Sequence, residues 1–213
     1  MEPIKRLPIN SPIKFLVILS LCLGWMFYQT NQEQQFVFPG QTMGTTYEVK
    51  IWTNDQDFNR QEIQLGIDSI LSAVNNSMST YINTSEISRF NNNQIENKIA
   101  VSDDFYYVLD KSIEYNQLTN GTFDPTIRPL LTLWGFRGKE VFNKPDTSMI
   151  NNVLEYVGSD KILLHPDNYI QKTHPMLSLD FGAIAKGYAV DKISDYLNDL
   201  GYKEHYVEIG GDM

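Results

Sequence analysis

Apolar and polar positions change period several times along this chain, and each change marks an element. The most apolar stretch comes first. Phe15 to Tyr28, FLVILSLCLGWMFY, carries no charge and follows Lys5, Arg6 and Lys14. As a helix it would be about 21 Å long, short for a full bilayer crossing. A basic stretch before an apolar run reads as a secretory signal or a signal anchor. Positive charge before the run and none just after it places the remainder on the outer side of the membrane. No Ala occurs between Phe15 and Gln35, so small-x-small cleavage chemistry is missing. Cys22 is an alternative as a lipidation site, although Leu21 before it is large for one. The reading is an uncleaved anchor over residues 1–35, ending in the polar tether QTNQEQQ at 29–35, with lipidation or cleavage as the alternatives.

Beyond the tether the period alternates between two and about 3.6. Tyr47, Val49 and Ile51 alternate with Glu48 and Lys50, which predicts a half-buried strand approached through Pro39-Gly40 and Met43-Gly44. Ile63, Ile67, Ile70, Leu71 and Val74 recur at helical spacing, predicting an amphipathic helix over about 58–76. Ser85 is placed to cap a short helix within the Ser-, Thr- and Asn-rich segment 78–93, and a further helix fits Asp103 to Leu118. The acidic pair Asp103 and Asp104 complements the dipole at that helix start. NGTFDPTIRPLLTLWGF follows as a turn-rich stretch, and Asn143 to Val157 reads as loop and short helix. A hairpin is predicted over Lys161–Leu164 and Tyr169–Lys172, then an apolar strand Leu177–Phe181, a helix from about Ala185 to Leu200 stopped by Gly201, and a last strand Tyr206–Ile209.

Composition narrows the chemistry. A net charge of -9 over 213 residues argues against a nucleic-acid backbone as partner. One cysteine excludes an intramolecular disulfide and a thiolate zinc site, and the three histidines, His165, His174 and His205, lack metal-ligand spacing. A metal held by this chain would be a hard cation on oxygen ligands. No Ser-His-Asp or Cys-His arrangement is visible in the local sequence.

Three segments carry candidate chemistry, each with a plain structural reading beside it. In DFGAIAKGYAVDKI, Asp180 closes an apolar stretch, Gly182 permits a tight turn and a helix follows; free amides at such a helix start suit a phosphate, with Lys186 adding a charge. An ordinary strand-to-helix connection with a capping aspartate fits equally. In GTFDPT, Asp124 is held extended by Pro125, presenting its carboxylate in a fixed direction or simply forming a structural turn. Met43 beside Gly44, and Tyr81 in MSTY, are suited to a flat ring, and equally to a core.

The order of these pieces is informative. QTMGTTYEV, MSTYINTSEISRFN, GTFDPTIRPLLTLWGF, LDFGAIAKGYAVD and the terminal IGGD together resemble the ApbE family of FAD:protein FMN transferases, over about residues 38 to 213. The resemblance implies an α+β, ApbE-like (T-fold-like) flavin transferase domain over 36–213, preceded by the anchor. It implies that FAD is held in a cleft and that, with Mg²⁺, its FMN half is moved to a Thr or Ser hydroxyl of a client flavoprotein with AMP leaving. By motif position, Met43, Tyr81, Thr122, Phe123, Asp124, Asp180 and Lys186 are the implied flavin-dinucleotide contacts, and Ala183 the residue whose main-chain oxygen faces Mg²⁺. Family members continue past Gly-Gly-Asp with a His-containing motif and an Asp and Thr of the metal site, so the domain is expected to be incomplete, and no catalytic residue is assigned. FAD pyrophosphate hydrolysis and non-catalytic FAD binding are the alternatives. The implied client is a membrane electron-transfer subunit, with the domain on the periplasmic side of the inner membrane.

Overall fold

A computed structural model of the chain describes residues 12–30, 32–93, 97–136 and 144–213. Lys5 and Arg6, and Asn143 at the start of the expected loop, lie outside the described residues. The apolar run forms helix α1 (Pro12–Thr30), whose side chains from Phe15 to Met26 are all exposed. Among the described residues no helix is long and apolar enough to cross a membrane. The tether is shorter than expected, because α1 runs to Thr30 and the first strand begins at Gln34.

Strands β1 (Gln34–Thr42), β2 (Thr45–Thr53) and β6 (His205–Ile209) form one antiparallel sheet in the order β1-β2-β6. The alternation at Tyr47, Val49 and Ile51 puts all three into the core. β1 is an addition to the sequence reading, where Pro39 argued for a break. Proline cannot donate to a ladder, and it is tolerated here because β1 is an edge strand.

Helix α2 (Arg60–Met78) opens at Asn59, whose side chain accepts from Glu62 N, and buries Ile63, Ile67, Leu71 and Val74 as its spacing predicts. Ser85 caps the short helix α3 (Glu86–Asn92), and Ser102 caps α4 (Asp103–Leu118). Helices α5 (Arg128–Leu133) and α6 (Thr147–Leu154) follow, the first within the stretch read as turns. Arg128-Pro129 starts α5 because proline's missing N–H is harmless in a first turn. A second antiparallel sheet has the order β3-β5-β4, from β3 (Ile99–Ala100), β4 (Ile162–His165) and β5 (Tyr169–Lys172). The expected hairpin is its larger part; β3, two residues long, left no periodic signal.

Helix α7 (Ala185–Asp199) packs on α2 and on β6. At the α2–α7 crossing Gly66 is required by contact: a Cβ there would lie 2.2 Å from the Tyr196 ring. The predicted strand Leu177–Phe181 is not one. Among the described residues that segment pairs with no sheet. Its backbone is satisfied by other means, with Leu179 paired to the Asn91 side chain and Asp180 N donating to Pro125 O at 2.8 Å. The mixture of helices with antiparallel strands is the expected α+β class.

Candidate functional site

Three pieces of backbone meet to form one cleft. The first is the β1–β2 turn, where Met43 (φ 52) and Gly44 (φ 76) close a two-residue hairpin between Thr42 and Thr45. Positive φ at both central positions is the hairpin geometry that matches strand twist. It suits Gly44, but for Met43 the left-handed backbone costs about 1–2 kcal/mol. Such strain persists where surrounding structure imposes it, often beside ligands; here it turns Met43 toward the cleft, against the core edge.

The second piece is the end of α2 and the loop after it. Asn75 Nδ2 donates to Leu71 O at 2.8 Å and to Thr42 Oγ1 at 2.9 Å, tying the hairpin to the helix. Ser79 leaves the helix with extended dihedrals, and its carbonyl accepts from Ser85 Oγ at 2.7 Å. Tyr81 then stands at the rim, 82% exposed.

The third piece is Asp180 to Lys186. Asp180 is buried, and its Oδ1 accepts from Gly182 N at 2.8 Å while Oδ2 lies 3.7 Å from Arg128 Nη1. Its carboxylate thus shapes the turn into α7. Ala185 N is bonded to Phe181 O and Tyr188 N to Ile184 O, and by helix geometry the first-turn amides of Lys186 and Gly187 have no intrahelical acceptor. With the positive end of the helix dipole, this is a favourable place for an anion. Lys186 Nζ sits 2.7 Å from Asp212 Oδ2.

Met43, Tyr81, Asp180 and Lys186 therefore line one cleft, together with Asn75, Met78 and Gly182. Other expected contacts lie elsewhere. Thr122, Phe123 and Asp124 are not on its wall. Asp124 Oδ1 is taken by Thr126 N (2.8 Å), Thr126 Oγ1 (2.6 Å) and Ser159 Oγ (3.2 Å), a self-satisfied turn. Phe123 O accepts from Asn116 and its ring meets Tyr115 edge-on. The loop reaches the cleft through Pro125 O, bonded to Asp180 N, and through Arg128. Ala183 faces a second opening on the other side of the α7 start, with Asp191, Tyr188 and Asp212. The Lys186–Asp212 pair joins the two openings.

Asn75 and Arg128 belong to this site's frame and were missed in the sequence, where the first read as a helix stop and the second as part of a turn. No histidine lines the cleft. His205 Nε2 is 2.7 Å from Ser194 Oγ, and its Nδ1 is 2.7 Å from Tyr202 O. This Ser–His pair, unforeseen in the local sequence, ends on a main-chain carbonyl rather than a carboxylate and joins α7 to β6. Behind the second opening, burial and a hydrogen bond to Asp104 (2.5 Å) raise the Tyr188 phenol above its usual range.

Ala183, Asp191 and Asp212 line the second opening, and main-chain and carboxylate oxygens are the donor types a hard cation takes. Among the described residues no group of three or more His, Cys, Asp or Glu is gathered closely enough to hold a metal. A cation here would depend on main-chain, water and substrate oxygens as well.

Comparison with known proteins bears on the family and the fold. The chain is 38% identical to the FAD:protein FMN transferase of Vibrio cholerae over 183 residues, 84% of this chain and 54% of that protein. It is 38% identical to the FAD:protein FMN transferase of Haemophilus influenzae over 181 residues, covering 82% and 52%. Among solved structures, the flavin transferase ApbE from Vibrio cholerae superposes with a TM-score of 0.78 at 36% identity, and the apo flavinyl transferase ApbE of Pseudomonas stutzeri with 0.78 at 31%. In both cases the match covers 84% of this chain and 58% of the other. The chain thus spans about half the length of the curated relatives it matches. The sequence profile of the ApbE family matches residues 43–213, from the strained hairpin to the final Gly-Gly-Asp-Met, and the chain belongs to that family.

Proposed function

We propose that the cleft binds FAD and that the chain serves an FAD:protein FMN transferase. In the overall reaction a Thr or Ser hydroxyl of a client flavoprotein attacks the FMN phosphorus. A phosphoester to FMN forms, the pyrophosphate P–O bond to AMP breaks, and the hydroxyl proton is lost. The observation that carries this reading is the meeting of Met43, Tyr81, Asp180 and Lys186 at one helix start. Met43 and Tyr81 offer a thioether and a ring face to the flavin. The α7 first-turn amides and Lys186 hold the pyrophosphate by dipole and charge, and Asp180 keeps the Gly182 turn in shape for them. Thr122, Phe123 and Asp124 support that turn from behind through Pro125 O. Mg²⁺ at the Ala183–Asp212 opening would supply charge stabilisation for the departing phosphate.

We also propose that α1 attaches the chain to the inner membrane with the domain on the periplasmic side. In support, its apolar side chains are exposed, from 44% at Leu19 to 70% at Phe15. A client at the membrane, an electron-transfer subunit, fits that placement.

The test is transfer itself. The full chain in detergent is incubated with FAD, Mg²⁺ and a Thr-containing client domain, and the client's mass is measured. A gain of one FMN, lost on chelation, is the expected result. Free FMN formed equally without the client would replace transfer by hydrolysis, and absence of FAD binding would overturn the reading of the cleft.

A further inference from the structure

Helix α3 touches both walls of the cleft without lining it. At its start the cap residue Ser85 donates from Oγ to Ser79 O at 2.7 Å, fixing the loop that carries Tyr81. Glu86 beside it accepts from Ser77 Oγ at 2.7 Å and binds Ser102, so the same end is anchored to α2 and α4. At its other end Asn91 makes a two-way pair with the Leu179 backbone: Nδ2 donates to Leu179 O at 2.9 Å, and Oδ1 accepts from Leu179 N at 2.7 Å. The side-chain amide thereby takes the place of a neighbouring strand, one residue before Asp180.

Lys172 reinforces this end. It is fully buried, lies over the Phe90 ring, and donates from Nζ to Phe90 O at 3.3 Å and Leu177 O at 3.2 Å. Among the described residues no carboxylate is paired with it, and burial pulls its ammonium below the usual lysine range. An ammonium held only by neutral carbonyls is unfavourable to bury, and a methionine would fill the space without that cost. What the amine adds is the bridge between the last turn of α3 and the segment 177–179.

We infer that α3 is a brace that sets the separation of the two cleft walls, with Asn91 and Lys172 as positioning residues for Asp180 and the Gly182 turn. The ligand consequence rests on the reading of the cleft as an FAD site; the brace itself does not. Because small misplacements of a binding group are costly, loosening either link weakens ligand binding although neither side chain meets the ligand.

The experiment compares the full chain in detergent with Asn91→Ala, Lys172→Met and the core variant Ile67→Val. Amide hydrogen exchange is followed by mass spectrometry, and the FAD dissociation constant is measured where all four are folded by circular dichroism. Asn91→Ala and Lys172→Met are expected to speed exchange about tenfold in residues 177–182, with 63–71 unchanged, and to raise the FAD dissociation constant about tenfold. Ile67→Val is expected to lower the melting temperature without either effect. Unchanged exchange at 177–182, or faster exchange spread evenly over 63–71 and 177–182 alike, overturns the brace. If Lys172→Met does not fold, Asn91→Ala alone decides. If the parent fails to bind FAD, the proposed function falls while the exchange result still judges the brace.

Discussion

Replacing Asp180 tests how the cleft floor is built. Its side chain is 6% exposed and its partners include Gly182 N at 2.8 Å and Arg128 at 3.7 Å, whose own side chain is 25% exposed. Asp180→Ala removes a charge-assisted hydrogen bond worth about 1.5–3 kcal/mol and weakens the compensation of a largely buried guanidinium. Partial exposure of Arg128 screens the second effect, so the total is about 3 kcal/mol. For a domain of this size that lowers the melting temperature by about 9 °C. Asp180→Asn keeps an oxygen for Gly182 N and loses only the charge, so it costs about 1–1.5 kcal/mol. Both values are read from urea unfolding followed by circular dichroism, alongside FAD titration of the folded proteins. The Ala variant is expected to bind FAD more weakly than the Asn variant, since only the Ala variant loses the turn. An Ala variant within 0.5 kcal/mol of the parent (about the scatter of surface substitutions), or an Asn variant equal to it, would refute the assignment.

The remaining predictions concern the cleft rim and the alkaline limit. Lys186→Ala breaks a half-exposed ion pair, so stability changes by less than about 1 kcal/mol; FAD affinity falls most at low salt, and a salt-independent loss would argue against a charge role. Met43→Asn suits the left-handed turn, and its relief of about 1 kcal/mol offsets lost thioether packing; unfolding shifts little while FAD titration shows weaker binding, and unchanged affinity would remove Met43 from the site. Tyr188 has its folded pKa raised above the unfolded value near 10 by burial and Asp104. Its contribution is therefore fully present below about pH 10 and lost as pH rises above that. Tyr188→Phe should flatten this alkaline loss in pH-dependent unfolding, and an unaltered slope would contradict it.

How much was legible in advance differs by element. α4 was read residue for residue, because an amphipathic period and an acidic first turn are local signals. α2, α7 and the β4–β5 hairpin were found for the same reason, with ends displaced by a residue or two. β3 and α5 were missed, being too short for a period to show. The order of motifs also pointed to the residues of the site and to the family. It could not separate those on the cleft wall from those behind it. Asp124 and Asp180 look alike in sequence, each an acid beside a turn. One closes its own loop through Thr126 and Ser159, and the other forms the cleft floor with Arg128.

Leu177–Phe181 shows the boundary between the two kinds of information most clearly. Apolar side chains determined that this segment is largely buried, since burial is a property of each residue's own side chain. Whether it joins a sheet depends on where its amides and carbonyls find partners. Those partners include Asn91, 88 residues away in sequence, and Pro125. Sequence by itself determined the longer periodic elements, their hydrophobic faces and the chemistry available to the site. Tertiary structure alone decided which polar groups meet, because a hydrogen bond over such a separation exists only once the chain has closed around its core.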